Sequence, residues 1–548
     1  MLGSWLLLSL GLAASAQVPA STAPVISEIR VHRYDIFDTK LPGENNVVFH
    51  VANKIHIVTR ESVIRRELLM RPGDPWDPFK ALESERNLRA NGFFRRVEIS
   101  SRPAAGNKLD LDVETQDSWT TLIQLSAGTE GGDRFFIYGI EEKNLGGWDK
   151  SVSFTHSQIG PAIRNDFNFA DPRFLDTRYR LLSLFGTSLH GQSMGVDLTR
   201  PFFSAESGHA QGASWSKIVD ERILYKDGEE LTRFISNSRT VQGAAAVRLS
   251  QDRWFVQRPQ LGWYSERDLF TGDAATTIPI PTNRELSGPT LGYTAIQPHY
   301  VKETYINRME RVEDFNMGNE FYALGGYMGQ ALGSDRDRLI FNVLDQQGLR
   351  FAPGRFILAQ IGASGRQVNQ QLENALFYGN FNVFWKTFIY LPQTFVAHAE
   401  FNSSRGLDGE NQIILGGNSG LRGFKNNSFV GNKSVLFNLE DRIFWPGEYF
   451  HLFRFGAAIF YDAGSVGRFK SDVGLGLRFS PTRSTGGRVF RVDVAYALNS
   501  GPASGRWVLA LKGGQAFDIF NSSTKQVKQS PSSRLNETTS NEFRPFAE

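Results

Sequence analysis

Apolar and polar positions follow two rhythms along the chain, and the change falls near residue 117. Before it, strand and helix periods alternate. Val25 to Val31 alternates with period two and predicts a strand. Thr59 to Met70 sets Val63, Ile64, Leu68 and Leu69 on one helical stripe, with Thr59 as a cap and Arg71-Pro72-Gly73-Asp74 as the stop. Asp77 to Asn91 predicts a second helix, with Phe79, Leu82 and Leu88 apolar, that ends at Gly92. Phe93 to Ile99 and Leu109 to Val113 predict two further strands. The order is β-α-α-β-β over residues 25–117, enough for a small α+β core. The arginines Arg86, Arg89, Arg95 and Arg96 read as a solvated helix-and-strand face rather than a docking patch.

From 119 to 520 the pattern is almost wholly period two. Val435, Phe437 and Leu439 oppose Asn438, Glu440 and Arg442; Phe455 and Ile459 oppose Arg454, Gly456 and Ala458. Segments around Phe395 to Phe401, Val473 to Phe479 and Phe490 to Tyr496 behave alike. A soluble sandwich also alternates, but these segments run to about 9–12 residues, the length of a tilted membrane strand. Their polar face carries Arg, Asp and Glu in mid-strand, as a wet lumen requires. At roughly 25 residues per strand and loop, the region predicts an antiparallel transmembrane barrel of about 16 strands. Closure removes the edges that such strands would expose.

Composition adjusts this picture in a few places. The 548 residues include 43 Phe, 15 Tyr, 10 Trp and 53 Gly, a profile of strands and tight turns. Mean hydropathy is −0.30, which fits a barrel because only alternate residues meet lipid. There is no cysteine, which excludes disulfides, Cys–Zn sites, Fe–S clusters and thiol nucleophiles. The net charge of +3 gives no field for nucleic acid. Residues 1–16 read as a signal peptide: an apolar run from Trp5 to Ala14 precedes Ala14-Ser15-Ala16, although no Lys or Arg comes before Arg30. Residues 521–548 read as a disordered polar tail. No His-Glu-x-x-His, Walker loop or Gly-x-Ser-x-Gly occurs, so no enzyme activity, catalytic residue, metal or cofactor is expected.

Two stretches resemble known families. Ile29-x-Val31, Arg71-Pro72-Gly73-Asp74 and Leu88-Arg89-Ala90-Asn91-Gly92-Phe93-Phe94, leading into Val97-Glu98-Ile99, resemble a POTRA domain. In the second regime, Glu142-Lys143-Asn144-Leu145-Gly146-Gly147 and Ala170-Asp171-Pro172 are similar to periplasmic turns of the BamA/TamA superfamily. The specific signal is later. Leu421-Arg422-Gly423-Phe424, in a Gly/Asn-rich loop, resembles the superfamily's (V/I)RG(F/Y) motif. Asn438-Leu439-Glu440-Asp441-Arg442 and Phe460-Tyr461-Asp462-Ala463-Gly464 resemble its Glu-x-Arg and Asp-x-Gly strands. The resemblance implies that the loop folds into the lumen, with Arg422 pairing with Glu440 and Asp462 and with Arg442 and Gly464 in support. By alternation both acids face the lumen, and a guanidinium fork can bridge two carboxylates.

The resemblance further implies an outer-membrane protein assembly, insertion or translocation factor, with one POTRA domain in the periplasm. Its partners would be the outer-membrane bilayer, unfolded outer-membrane or secreted clients, and periplasmic accessory proteins. A two-partner-type secretion pore shares the barrel and lumen loop but usually has two POTRA domains and an N-terminal plug helix. A passive structural barrel or porin needs neither the POTRA domain nor the Arg-Gly-Phe loop. Gly513-Gly514, in a last strand read as Trp507 to Phe517, suits either a weak seam or barrel curvature.

Overall fold

The computed structural model describes residues 23–513 apart from 131–132, 160–161, 488 and 503–504. The segment read as a signal peptide, the stretch 521–548 read as a tail, and Gly514 lie outside the described residues.

The first unit contains β1 (Val25–Tyr34), α1 (Val47–Ile55), α2 (Glu61–Glu67), α3 (Pro78–Ala90), β2 (Phe94–Ala104) and β3 (Lys108–Asp117). The sheet order is β1-β3-β2, with β1 parallel and β2 antiparallel to the central strand. Ile26, Ile29, Val63, Ile64, Leu88, Leu111 and Val113 form its core together with Phe93 and Phe94. Gly92 leaves α3 with φ of +77°, a conformation that glycine adopts without a Cβ penalty. Asp77 caps α3 by accepting from the Phe79 N–H.

Helix α1 is additional to the expected pair. Its Val47, Val48, Val51 and Ile55 are exposed, so burial selects no helical stripe there, and three valines in nine residues read as strand or loop. Phe49, stacked on Phe37 at 4.0 Å, and the Asn46 cap hold the helix. Helix α2 begins at Glu61, and Thr59 does not cap it. The Thr59 N–H and hydroxyl both donate to Asp117, at 2.7 and 2.8 Å.

The second unit is a closed antiparallel barrel with twenty strands among the described residues, from Thr121–Glu130 to Trp507–Gly513. The count exceeds the expected sixteen or so because many hairpins close through two-residue turns, such as 227–228, 353–354 and 369–370. That shortens the repeat to about 20 residues per strand. Side chains alternate between a lipid-facing set (Phe437, Leu439, Ile459) and a buried lumen set (Asn438, Glu440, Phe460). The hairpin His209–Lys226/Glu229–Val247 has strands of 18 and 19 residues. At about 3.3 Å per residue each reaches roughly 60 Å, well past a ~30 Å hydrocarbon core even when tilted. Strand direction sets its turn on the end away from β3, where Gly228 N–H donates to the Asn427 carbonyl of the lumen loop.

At the opposite end, residues 297–318 form a floor. A small hairpin, Tyr300–Glu303 with Glu313–Asn316, carries Ile306, Phe315 and Met317 against the inward-facing Phe356, Leu358, Phe384 and Val396. The POTRA-like unit docks on this floor. Arg89 forks onto Asp314 at 2.8 and 2.7 Å, Arg86 stacks over Tyr300 at 3.8 Å, and Arg95 pairs with Glu448 at 3.3 Å. The arginine cluster is thus mainly a docking patch, contrary to its reading as a solvated face; Arg96 alone of the four is mostly exposed. Its partners lie more than 200 residues away in sequence. Arg483 donates to the Ile36 carbonyl at 3.0 Å and pairs with Glu44 and Glu448, tying the loop 482–489 to the same unit.

Candidate functional site: the arginine clamp in the lumen

The strand Pro392–Arg405 runs into a long connection, 406–432, at the end away from the floor. Short strands Ile413–Leu415 and Phe429–Gly431 pair with each other and pinch the base of the connection. Between them the chain folds into the barrel. Gly420 adopts φ of +103°, in the region that favours glycine. Leu421 is fully buried among Leu415, Phe424, Leu436 and Ala497. Phe424 meets Phe429 edge-on at 5.3 Å.

Arg422 lies against the wall with 3% exposure. Its Nε and Nη2 donate to the two oxygens of Asp462, both at 2.8 Å, and its Nη1 donates to Glu440 Oε2 at 2.7 Å. The guanidinium carbon sits 3.4 Å from the Phe460 ring centroid, a cation–π contact that leaves no room for water on that face. One planar fork therefore engages two carboxylates on adjacent strands, Lys433–Phe444 and Phe453–Ser465.

The neighbours make this possible. A Cβ on Gly423 would fall 2.5 Å from the Asp472 Cβ, so the loop can approach the wall only with glycine there. Its role is close approach, since its φ is not positive. A Cβ on Gly464 would crowd the Val435 carbonyl at 2.9 Å and Leu421 at 3.4 Å, so Gly464 makes the space that Leu421 fills. Arg442 holds Glu440 from the other side, Nε to Oε1 at 3.0 Å, and its Nη1 donates to the Ile306 carbonyl of the floor at 2.6 Å. Glu440 thus stands between the loop arginine and an arginine bound to the floor.

Every residue expected at the site from the sequence lies in or against this cluster: Leu421, Arg422, Gly423, Phe424, Glu440, Asp462, Arg442 and Gly464. Several further participants carried no assigned role. Asn438 donates to the Gly420 carbonyl and to Asp462, both at 2.7 Å. Arg478 lies 3.6 Å from Glu440, and Arg491 donates to Asp493 at 2.8 Å. Alternation alone sets Asn438 on the lumen face beside Glu440, a usable signal for its part. Outside the membrane wall, Asp117 at the end of β3 is pushed up to about 6 by burial, opposed by its hydrogen bonds from Thr59.

The family model described as POTRA, surface antigen variable number repeat, matches residues 55–116. The outer membrane protein assembly factor BamA of Neisseria meningitidis is 31% identical over 130 residues, 22% of this chain and 16% of that protein. BamA of Neorickettsia risticii is 29% identical over 147 residues, 25% of this chain and 20% of that protein. The matched stretch thus spans a fifth or less of either relative. Among solved structures, BamA from Haemophilus ducreyi lacking POTRA domains 1–3 aligns over 90% of this chain and 84% of its own, with 13% identity and a TM-score of 0.35. CdiB from Acinetobacter baumannii aligns over 90% of this chain and 73% of its own, with 12% identity and a TM-score of 0.45. The chain thus matches the POTRA family over 55–116, is similar to BamA-type outer-membrane assembly factors over about a quarter of its length, and forms a closed barrel with the Arg-Gly-Phe loop in its lumen.

Proposed function

We propose that the protein assembles other proteins into the outer membrane, its POTRA domain receiving unfolded clients in the periplasm and its barrel wall guiding their insertion. The observation that carries this reading is a lumen obstructed at both ends. Residues 297–318 reach across the mouth on the POTRA side, from the inner wall at Phe356, Phe384 and Val396 to Ser118 and Ser484 through Arg311, and the Arg422 clamp holds the loop 406–432 inside from the other end. A lumen obstructed in this way serves neither a passive porin nor free passage of a chain, which leaves the wall as the working surface. The edge strand β2 supports a receiving role: its Ser100 to Pro103 stretch is largely exposed, and an extended client can add to such an edge through main-chain hydrogen bonds. Arg422, Glu440 and Asp462 act as positioning residues that hold the wall and loop as one body.

Reconstitution tests this. The full chain in liposomes, offered a urea-unfolded barrel client, is expected to accelerate formation of the client's heat-resistant folded form in the bilayer. Client appearing inside the vesicle lumen instead would make the protein a secretion pore. No acceleration of either kind would end the client-handling idea.

A further inference from the structure

On the barrel exterior, hydrogen-bond register lines up one row of side chains across seven neighbouring strands: Trp385, Phe395, Asp441, Ile459, Leu475, Val494 and Leu509. Six are apolar, as a lipid-facing row requires. Asp441 is the exception. It belongs to the outward set of its strand with Leu439 and Ile443, opposite the clamp residues Glu440 and Arg442. Its Oδ1 is buried and has no hydrogen-bond partner among the described residues. An ionisable group at membrane depth without a protein partner calls for an external one.

The space for that partner is present. Asp441 borders a hollow of about 760 Å³ in the outer wall, lined by Trp385, Phe395, Leu439, Ile459 and Tyr461. This lies within the ~300–1,000 Å³ typical of small-molecule sites. The hollow is overwhelmingly apolar, so its occupant is mostly hydrocarbon. Asp441 lies three residues from the POTRA-side end of its strand, about 10 Å along it. At the same end Phe388 and Tyr390 stand strongly exposed and mark the rim of the wall. A lipid entering from that leaflet brings its headgroup to the carboxylate and its acyl chain to the hollow.

We infer that this face is a binding site for a phospholipid with a primary-amine headgroup, the ammonium meeting the Asp441 carboxylate and an acyl chain filling the hollow beside Trp385. An ammonium supplies three donors and a compensating charge. A client strand with a lysine would also bring unpaired backbone groups against this wall, which the apolar lining cannot satisfy.

The test uses the full chain in mild detergent, incubated with mixed micelles of phosphatidylethanolamine, phosphatidylcholine and phosphatidylglycerol bearing the same acyl chains. Native mass spectrometry counts the bound lipids. The wild type is expected to retain the ethanolamine lipid at least about fivefold over the other two, a gap of about 1 kcal/mol. Asp441→Asn, nearly the same shape and facing lipid, is expected to lose that preference while the barrel keeps its heat-modifiable gel shift. Asp441→Leu serves as a second variant with no polar group. An unchanged preference in Asp441→Asn, or none in the wild type, overturns the inference. So does a photo-crosslinker at Leu439 that captures only protein in native membranes.

Discussion

Replacing Arg422 by alanine removes three charge-assisted hydrogen bonds from two buried carboxylates. The loss is unequal. Glu440 keeps Arg442 at 3.0 Å and Arg478 at 3.6 Å, whereas Asp462 is left with neutral donors, the Asn438 amide at 2.7 Å and the backbone N–H of residue 422 at 3.3 Å. The cost therefore falls on Asp462 as an uncompensated buried charge. Removing one partner from such a pair costs about 3–5 kcal/mol, roughly a 10²- to 10³-fold or larger shift toward the undocked loop. The chain has no cysteine, so a single introduced thiol is a clean reporter. Ser428 is 1% exposed in the docked loop, and Ser428→Cys labels with maleimide only when the loop leaves the lumen. Adding Arg422→Ala to this reporter is expected to raise the labelling rate by about 100-fold or more, up to the rate of a free loop. Asp462→Asn on top should recover much of the protection, because it removes the stranded charge. Labelling at the parent rate in the Arg422→Ala background, or no recovery with Asp462→Asn, would refute the clamp reasoning.

Other expectations follow from the same contacts. Gly423→Ala, whose Cβ meets Asp472 at 2.5 Å, should let the Ser428→Cys reporter label nearly as fast as Arg422→Ala does, with every charge still present. Deleting residues 299–317 in the Arg422→Ala background should give a higher conductance in planar bilayers than either change alone; unchanged conductance would mean that another segment obstructs the lumen. Arg89→Ala, which leaves Asp314 without its fork, should weaken POTRA docking by about 2–4 kcal/mol, read as faster hydrogen exchange in α3 and in 300–316. Asp117 has a folded pKa of about 6 against 3.8 unfolded, so the folded state holds its proton longer. Its stabilising contribution is full below about pH 4 and is lost as pH rises through about 6, on the order of 3 kcal/mol. Asp117→Asn should flatten that part of the pH-stability curve, and a slope that persists in the variant would assign it to another group.

Much of this molecule is legible in the linear pattern. Period two separates Asn438, Glu440 and Arg442 from Phe437 and Leu439, and on the next strand Asp462 from Ile459 and Tyr461, which puts both acids on the lumen face. The stop at Gly92 and the Phe93-Phe94 pair are local chemistry, so they can be read locally. The floor is different. Residues 297–318 have no periodicity because their apolar members, Ile306, Phe315 and Met317, bury against wall residues that sequence does not place beside them. The docking role of Arg89 depends on Asp314, 225 positions away, and a charged helix face looks solvated until its partner is known. Periodicity underestimates the strand count because two-residue turns leave little composition signal between long strands. Helix α1 hides because its valines face outward.

If the protein assembles barrels into the outer membrane, as proposed, its loss removes clients from that membrane. Quantitative proteomics of the outer membrane and the secreted fraction after depletion, with complementation by wild type or Arg422→Ala, addresses this most directly. Several integral barrels are expected to fall together, the wild type to restore them, and Arg422→Ala to fail to. Loss of one secreted protein alone, or no change in either fraction, would contradict it.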